Sequence, residues 1–303
     1  MLGKKGLKKL SSTVIKELKP SKSKKKKTHV KKAKPIKTSK QPAKRKLKSI
    51  KINLNKIKIA NQLSFEKPTR RSSNQDRVPT GIPGLDEVMA GGYELGSDNL
   101  VAGGAGSGKS IYGIQFLVTG IVKYKEPGIY VTFEEKKENV YKHMLTFGWD
   151  LAKYEAAGLF AFVEYTPEQV KKMLEEGGGL IESLIHKLNA KRLVIDSITA
   201  FSLLFKDELS KRQAVLALFD FIRKWGVTAV LTAEFEPELE NPGSATIEFE
   251  VDSIVLLYYP RKGDIRKRAL EILKMRGTEH SKKIFPLKIA EKGIMIYPKE
   301  RIF

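Results

Sequence analysis

Downstream of residue 77, short apolar runs alternate with stretches whose apolar positions recur every three or four residues. The runs at 99–102, 129–133, 159–165, 192–196, 229–232 and 253–258 have the length and the β-branched and aromatic content of strands. The stretches between them have helical spacing, and the longest covers 208–225. This alternation predicts an α/β domain with a largely parallel sheet covered by helices. Over 268–298 strands and turns follow one another without a long helix, so antiparallel strands are expected to extend one edge of the sheet. No segment of the chain repeats another.

Residues 1–75 break the pattern. Runs such as SKSKKKKTHVKKAKPIKTSKQPAKRKLK hold few apolar residues and repel themselves, so they bury too little surface to offset the entropy of ordering. We therefore read 1–75 as a lysine-rich, mostly disordered tail and 76–303 as the folded domain. Within the tail, Leu7, Leu10, Val14 and Leu18 share a helical face, and Ile50, Ile52 and Leu54 alternate as on a strand. Either stretch can order against a partner.

Charge sharpens this division. The whole chain carries +23, but residues 1–71 alone carry +24, with Glu17 and Glu66 their only acids, and the remainder is close to neutral. Such a polycation fits three uses: solubility, nonspecific nucleic-acid binding through release of phosphate counterions, or attraction to an anionic membrane surface. Hydrophobic residues make up 41% of the 303 positions, enough to build an enzyme-sized core. There is no cysteine, and His29, His143, His186 and His280 are dispersed, which argues against a disulfide framework or a His/Cys zinc site. The longest apolar stretches, such as 116–122, fall short of the ~18 residues needed to cross a bilayer. No transmembrane segment or signal peptide is readable, and a cytoplasmic setting is expected.

The candidate chemistry begins at GGAGSGKS, comprising Gly103, Gly104, Ala105, Gly106, Ser107, Gly108, Lys109 and Ser110. It fits G-x-x-x-x-G-K-[ST] and lies between a predicted strand and a predicted helix, as a phosphate-binding loop requires. The glycines let backbone N–H groups curl around the phosphates of ATP at the positive end of the following helix. Lys109 is expected to bridge phosphate oxygens, and the Ser110 hydroxyl to bind Mg²⁺. Asp196 directly follows Leu193-Val194-Ile195, the place for a second metal-positioning group, although an Asp-Ser pair after a strand also serves as a helix cap. Glu134 and Glu135 end the strand IYVTFEE, where alternation turns one carboxylate toward the water that attacks the γ-phosphate. Their alternative is the acidic first turn of a helix. Lys274 and Arg276 lie two apart on a predicted strand and so share a face, either to neutralise phosphate charge or simply as a solvated basic edge.

Several motifs in order, TGIPGLDEVMAGGYELGSDNLVAGGAGSGKS, IYVTFEE, FGWDL, LVIDSITAF, LEILKMRGTEH and EKGIMIYP, resemble the single-domain archaeal relatives of the clock ATPase KaiC, within the RecA superfamily. The resemblance covers about 77–298 and leaves out the tail. It implies a RecA-type P-loop NTPase core and a homo-oligomeric ring of six subunits with ATP bound between neighbours. It makes Glu134 the main catalytic residue and Asp196 the Walker B acid, and it sends Lys274 and Arg276 to the γ-phosphate of the adjacent subunit. KaiC itself has two ATPase domains, whereas this chain has room for one, so neither an oscillator nor protein-kinase activity follows. Besides a regulatory ATPase, two readings stay open: a RadA-like recombination or repair ATPase acting on DNA, and an ATP switch that binds without hydrolysis. The segment 235–248, FEPELENPGSATIE, is acidic and lacks arginine, which counts against a DNA-facing loop. Glu134 counts against the pure switch.

Overall fold

Most of the apolar runs pair into one nine-stranded sheet. The computed structural model describes residues 77–235 and 246–300, so the basic tail, its two amphipathic stretches and most of 235–248 lie outside the described residues. The strands are β1 (Arg77–Val78), β2 (Tyr93–Glu94), β3 (Asp98–Gly103), β4 (Gly128–Thr132), β5 (Phe160–Glu164), β6 (Arg192–Asp196), β7 (Thr228–Glu234), β8 (Ser253–Tyr258), β9 (Arg261–Lys262), β10 (Ile265–Arg266), β11 (Arg268–Met275), β12 (Ile284–Ala290) and β13 (Gly293–Ile296). In space the large sheet runs β13-β12-β11-β8-β3-β7-β6-β4-β5. The six strands from β8 to β5 are parallel, and β11, β12 and β13 continue the β8 side as antiparallel neighbours. The expected mixed α/β architecture, with antiparallel strands at one edge, is the one observed. β1–β2 and β9–β10 are separate two-stranded ribbons.

Both faces of the sheet are covered, which is why its central strands read as continuous apolar runs. Side chains alternate between faces. Leu100, Ala102, Ile129, Val131, Leu193 and Ile195 face a core shared with the helices Pro167–Glu176, Gly179–Leu188 and Glu208–Trp225. Val101, Tyr130, Val194, Val230 and Val255 face the opposite core, where Tyr112 and Phe116 of the helix Lys109–Thr119 pack.

One charge is buried in this second layer. Arg192, fully buried at the start of β6, donates from Nε to Glu126 Oε2 at 2.7 Å and from Nη1 to the carbonyls of Pro79 and Phe116 at 2.9 Å each. Its guanidinium lies 4.5 Å from the centre of the Phe116 ring. A Cβ at Gly120 would come within 2.5 Å of the Arg192 side chain, so only glycine lets the π-helical turn Gly120–Tyr124 pass.

A second buried charge gives a testable pH dependence. Asp98, 1% exposed at the start of β3, has its carboxyl pushed up to about 7, first by burial and then by the neighbouring Asp252 carboxylate, against the opposing pull of Arg223. The folded state therefore holds a proton that the unfolded chain releases near pH ~4. Its stabilising effect is complete below pH ~4 and is lost as pH rises through about 7. We expect urea midpoints of the wild type to fall between pH 5 and 8, and Asp98→Asn to flatten that slope and unfold later than wild type at pH 8, by on the order of 1–3 kcal/mol. Parallel pH profiles of the two proteins would overturn the assignment.

Candidate active site

The site is built at the C-terminal edge of the parallel strands, where open α/β sheets place their ligands. β3 is buried along its whole length and delivers Gly103 there. The chain then turns through residues 104–108 into the helix Lys109–Thr119, with Gly106 (φ 73°) and Gly108 (φ 111°) in the left-handed region. No side chain caps this helix, so its first N–H groups and the positive end of its dipole face the loop. Lys109, only 9% exposed, donates from Nζ to the carbonyls of Gly103 at 2.9 Å and Gly104 at 3.1 Å. The buried Ser107 hydroxyl has no hydrogen-bond partner. An ammonium, uncapped amides and an orphaned hydroxyl around one small loop make a cradle for an anion such as a phosphate.

Asp196 sits at the tip of β6, one strand beyond β7 from the loop strand. The helix-cap alternative for it does not hold, because Ser197 caps the helix Ile198–Leu203, its hydroxyl accepting from the Ala200 N–H at 3.0 Å. Asp196 instead accepts two short hydrogen bonds: Thr232 Oγ1 of β7 donates to Oδ1 at 2.5 Å, and Tyr130 Oη of β4 donates to Oδ2 at 2.5 Å. Burial, with the Asp196 carboxylate and the hydrogen bond to it, pushes the Tyr130 phenol well above its usual range, with the nearby Ser110 hydroxyl opposing. Ser110 and Asp196, the two expected metal ligands, thus both lie close enough to Tyr130 to act on its phenol. Both are hard oxygen donors, as Mg²⁺ prefers, and a pair of protein ligands completed by phosphate and water is its usual setting. No group of three or more His, Cys, Asp or Glu among the described residues could hold a metal alone.

The two glutamates lie just past β4, in the turn before the helix Lys137–Leu145. Both of their backbone N–H groups donate to Thr132 Oγ1, at 3.3 and 3.2 Å. Strand alternation therefore does not sort their faces, and neither belongs to the helix. Glu135 lines the cleft beside the phosphate loop, and its carboxyl is raised first by burial and then by Asp196, with His143 opposing. Both glutamates are exposed, and Glu134 is not part of that lining.

The cleft has a volume of about 440 Å³, and its walls include His143, Arg268 and Ile289, which lie outside the motifs, and Phe147 of the FGWDL motif, to which the sequence assigns no role. Phe147 stacks on Trp149 with ring centres 5.0 Å apart, giving a firm apolar wall opposite Ile289. Arg268 donates twice to the Gly106 carbonyl at 3.0 Å while lying 4.1 Å from the centre of the Tyr259 ring. Arg268 and Ile289 belong to β11 and β12, nearly 160 residues or more downstream of the loop, and reach it only through the sheet register.

The same register takes Lys274 and Arg276 away from it. Gly103 pairs with Leu257 and Leu257 with Leu270, whereas Asn99 pairs with Ser253 and Ser253 with Met275. Lys274 and Arg276 therefore lie at the opposite end of β3 from Gly103, on the order of 15–20 Å along the strands. They do converge with each other. Lys274 Nζ donates to the carbonyls of Glu248 at 2.9 Å and Val251 at 2.8 Å, and Arg276 pairs with Asp252 at 3.3 Å and donates to the Phe249 carbonyl. His280, on the turn that follows, contacts the Thr278 carbonyl and no part of the cleft lining.

The chain matches the family described as "ATPase: KaiC" over residues 78–301. A UPF0273 protein of Pyrococcus furiosus is 37% identical over 235 residues, covering 73% of this chain and 94% of that protein. The circadian clock oscillator protein KaiC of Synechococcus elongatus is 35% identical over 243 residues, covering 76% of this chain but 46% of that protein. The match thus spans about half the length of the clock relatives. Among solved structures, a KaiC-like protein from Pyrococcus horikoshii superposes with a TM-score of 0.66 at 38% identity, covering 73% of this chain and 99% of that one.

Proposed function

The chain belongs to the KaiC-like ATPase family of the RecA superfamily, and from that premise we propose that it binds ATP with Mg²⁺, hydrolyses it slowly, and works as a ring-forming regulatory ATPase in the cytoplasm. The observation that carries this reading is the convergence on one cleft of the phosphate loop, Ser110 and Glu135, with Asp196 near enough to raise the Glu135 carboxyl. In this reading the loop amides and Lys109 hold the β- and γ-phosphates, and Phe147 and Ile289 flank the base. Ser110 and Asp196 hold the cation, and the glutamate pair supplies the group that orients water. No helix among the described residues is long and apolar enough to cross a membrane.

Ring formation rests on a separate geometric point. Lys274 and Arg276 lie at the wrong end of the sheet for the nucleotide held by their own loop, so a role at a phosphate requires a neighbouring copy. Arg276→Ala subunits keep an intact loop, and Lys109→Ala subunits keep intact Lys274 and Arg276. Each variant alone is expected to lose ~10²-fold or more in turnover, as removal of an arginine finger does. Mixed in equal amounts and allowed to exchange, the two should recover about a quarter of wild-type ATPase activity, the share of interfaces that pair a good loop with good fingers. A monomeric Arg276→Ala protein with full activity would contradict the role in trans.

A further inference from the structure

Both oxygens of Asp196, an expected metal ligand, are held by neighbouring hydroxyls. The Tyr130 phenol donates to Asp196 Oδ2 at 2.5 Å. An ionised carboxylate only accepts, so the phenol is the donor of this bond. Thr232 occupies the other oxygen, Oδ1, at 2.5 Å. Each oxygen of Asp196 is thereby fixed by one hydroxyl and keeps further lone-pair capacity for the cation or its water shell.

The phenol has little freedom to move. Tyr130 is fully buried on β4, between β6 and the edge strand β5, and its ring stacks on Phe162 with centres 5.5 Å apart and planes at 26°. Burial in the core needs the ring but not the hydroxyl, and phenylalanine would fill the same space.

We propose that Tyr130, together with Thr232, is a positioning residue for the Mg²⁺ of this site: the buried phenol fixes one oxygen of Asp196 and Thr232 locks the other, so that the carboxylate is held in one orientation toward the cation. Neither side chain touches nucleotide. The assignment rests on the proposed ATP reading of the cleft.

The test uses the full chain, a fluorescent ADP analogue, and Mg²⁺ or Mn²⁺ titrated at fixed nucleotide, with binding followed by anisotropy. Tyr130→Phe should bind the analogue in EDTA as wild type does, while the Mg²⁺ concentration for half-maximal tightening rises ~10-fold or more, the usual cost of losing an outer-shell partner. Thr232→Val should shift the same midpoint upward, and Thr232→Ser, which keeps the hydroxyl, should restore it. These two Thr232 variants carry the test by themselves should Tyr130→Phe fail to fold. A Tyr130→Phe protein that is folded, changed only in thermal midpoint and unmoved in Mg²⁺ midpoint would reduce the phenol to a core residue and overturn the proposal. Unmoved midpoints in both Thr232 variants would do the same for the clamp. If the wild-type chain shows no Mg²⁺-dependent tightening at all, the ATP reading of the cleft falls with it, whereas loss of the variant effect alone leaves that reading standing.

Discussion

Glu134→Gln is expected to bind ATP and ADP as the wild type does and to lose turnover by ~10²-fold or more, the scale seen when a group acting only in the transition state is removed. The amide keeps the size and the hydrogen-bonding shape of the carboxylate but cannot accept a proton, so binding and chemistry separate cleanly. Glu135→Gln is the necessary companion. In the structure it is Glu135 that lines the cleft, with its carboxyl raised by burial and by the Asp196 charge. A raised carboxyl suits a base, and if Glu135 orients the water, the acidic limb of the wild-type pH–rate profile will lie above the ordinary glutamate range. Full inactivation by Glu135→Gln alone, with Glu134→Gln turning over at the wild-type rate, would exchange the two roles. Wild-type rates in both variants would remove the pair from the reaction and favour a switch that binds without hydrolysis.

What the sequence disclosed and what it hid follow from how far apart the partners lie along the chain. The phosphate loop is contiguous, and its glycines, lysine and serine announce it wherever a strand precedes and a helix follows. The helix Glu208–Trp225 has the bounds its apolar spacing predicts, because Asp207 caps it through the Ser210 N–H and Gly226 ends it in a left-handed conformation. Asp196 was legible as the polar residue at the end of an apolar strand. Tyr130 and Thr232 were not, since each reads as an ordinary core position of its own strand; only the spatial order β7-β6-β4 places both beside Asp196. Arg268 and Ile289 were hidden for the same reason.

The glutamate pair shows a different limit. Alternation predicts opposite faces for neighbours on a strand, but β4 ends at Thr132, whose hydroxyl draws both following amides into a turn. The face-sharing expected of Lys274 and Arg276 survives a similar complication. β11 has a register shift between Ile272 and Lys274 and ends at Met275, yet the Arg276 N–H still donates to the Asp252 carbonyl at 2.8 Å and continues the ladder. Both side chains consequently lean on the segment 248–252. Their distance from the loop, unlike their proximity to each other, required the pairing of three strands.

Lys109→Ala should abolish most nucleotide binding, and the way it does so distinguishes a phosphate cradle from a generic cleft. In the structure the ammonium is buried against the carbonyls of Gly103 and Gly104. Phosphate oxygens are stronger acceptors for it, because hydrogen bonds between ionised groups are worth about twice neutral ones. Losing such contacts costs roughly 1.5–3 kcal/mol each, so ATP and ADP affinity should fall ~10²-fold or more. Thermal denaturation reads this directly. At a nucleotide concentration ~100 times the wild-type Kd, binding stabilises the wild type by about 2.7 kcal/mol, and a variant bound ~10²-fold more weakly gains only about 0.4 kcal/mol. Lys109→Met, which keeps the length of the stem without the charge, should behave as Lys109→Ala does. Adenosine supplies the internal control. Phe147 and Ile289 lie on the walls and not in the loop, so its weak binding should be the same in wild type and variant. An ATP-induced shift in thermal midpoint that survives Lys109→Ala would show that the phosphates are held elsewhere. An equal loss of adenosine binding would instead mean that the substitution had collapsed the cleft, because removing the lysine leaves two loop carbonyls without their donor.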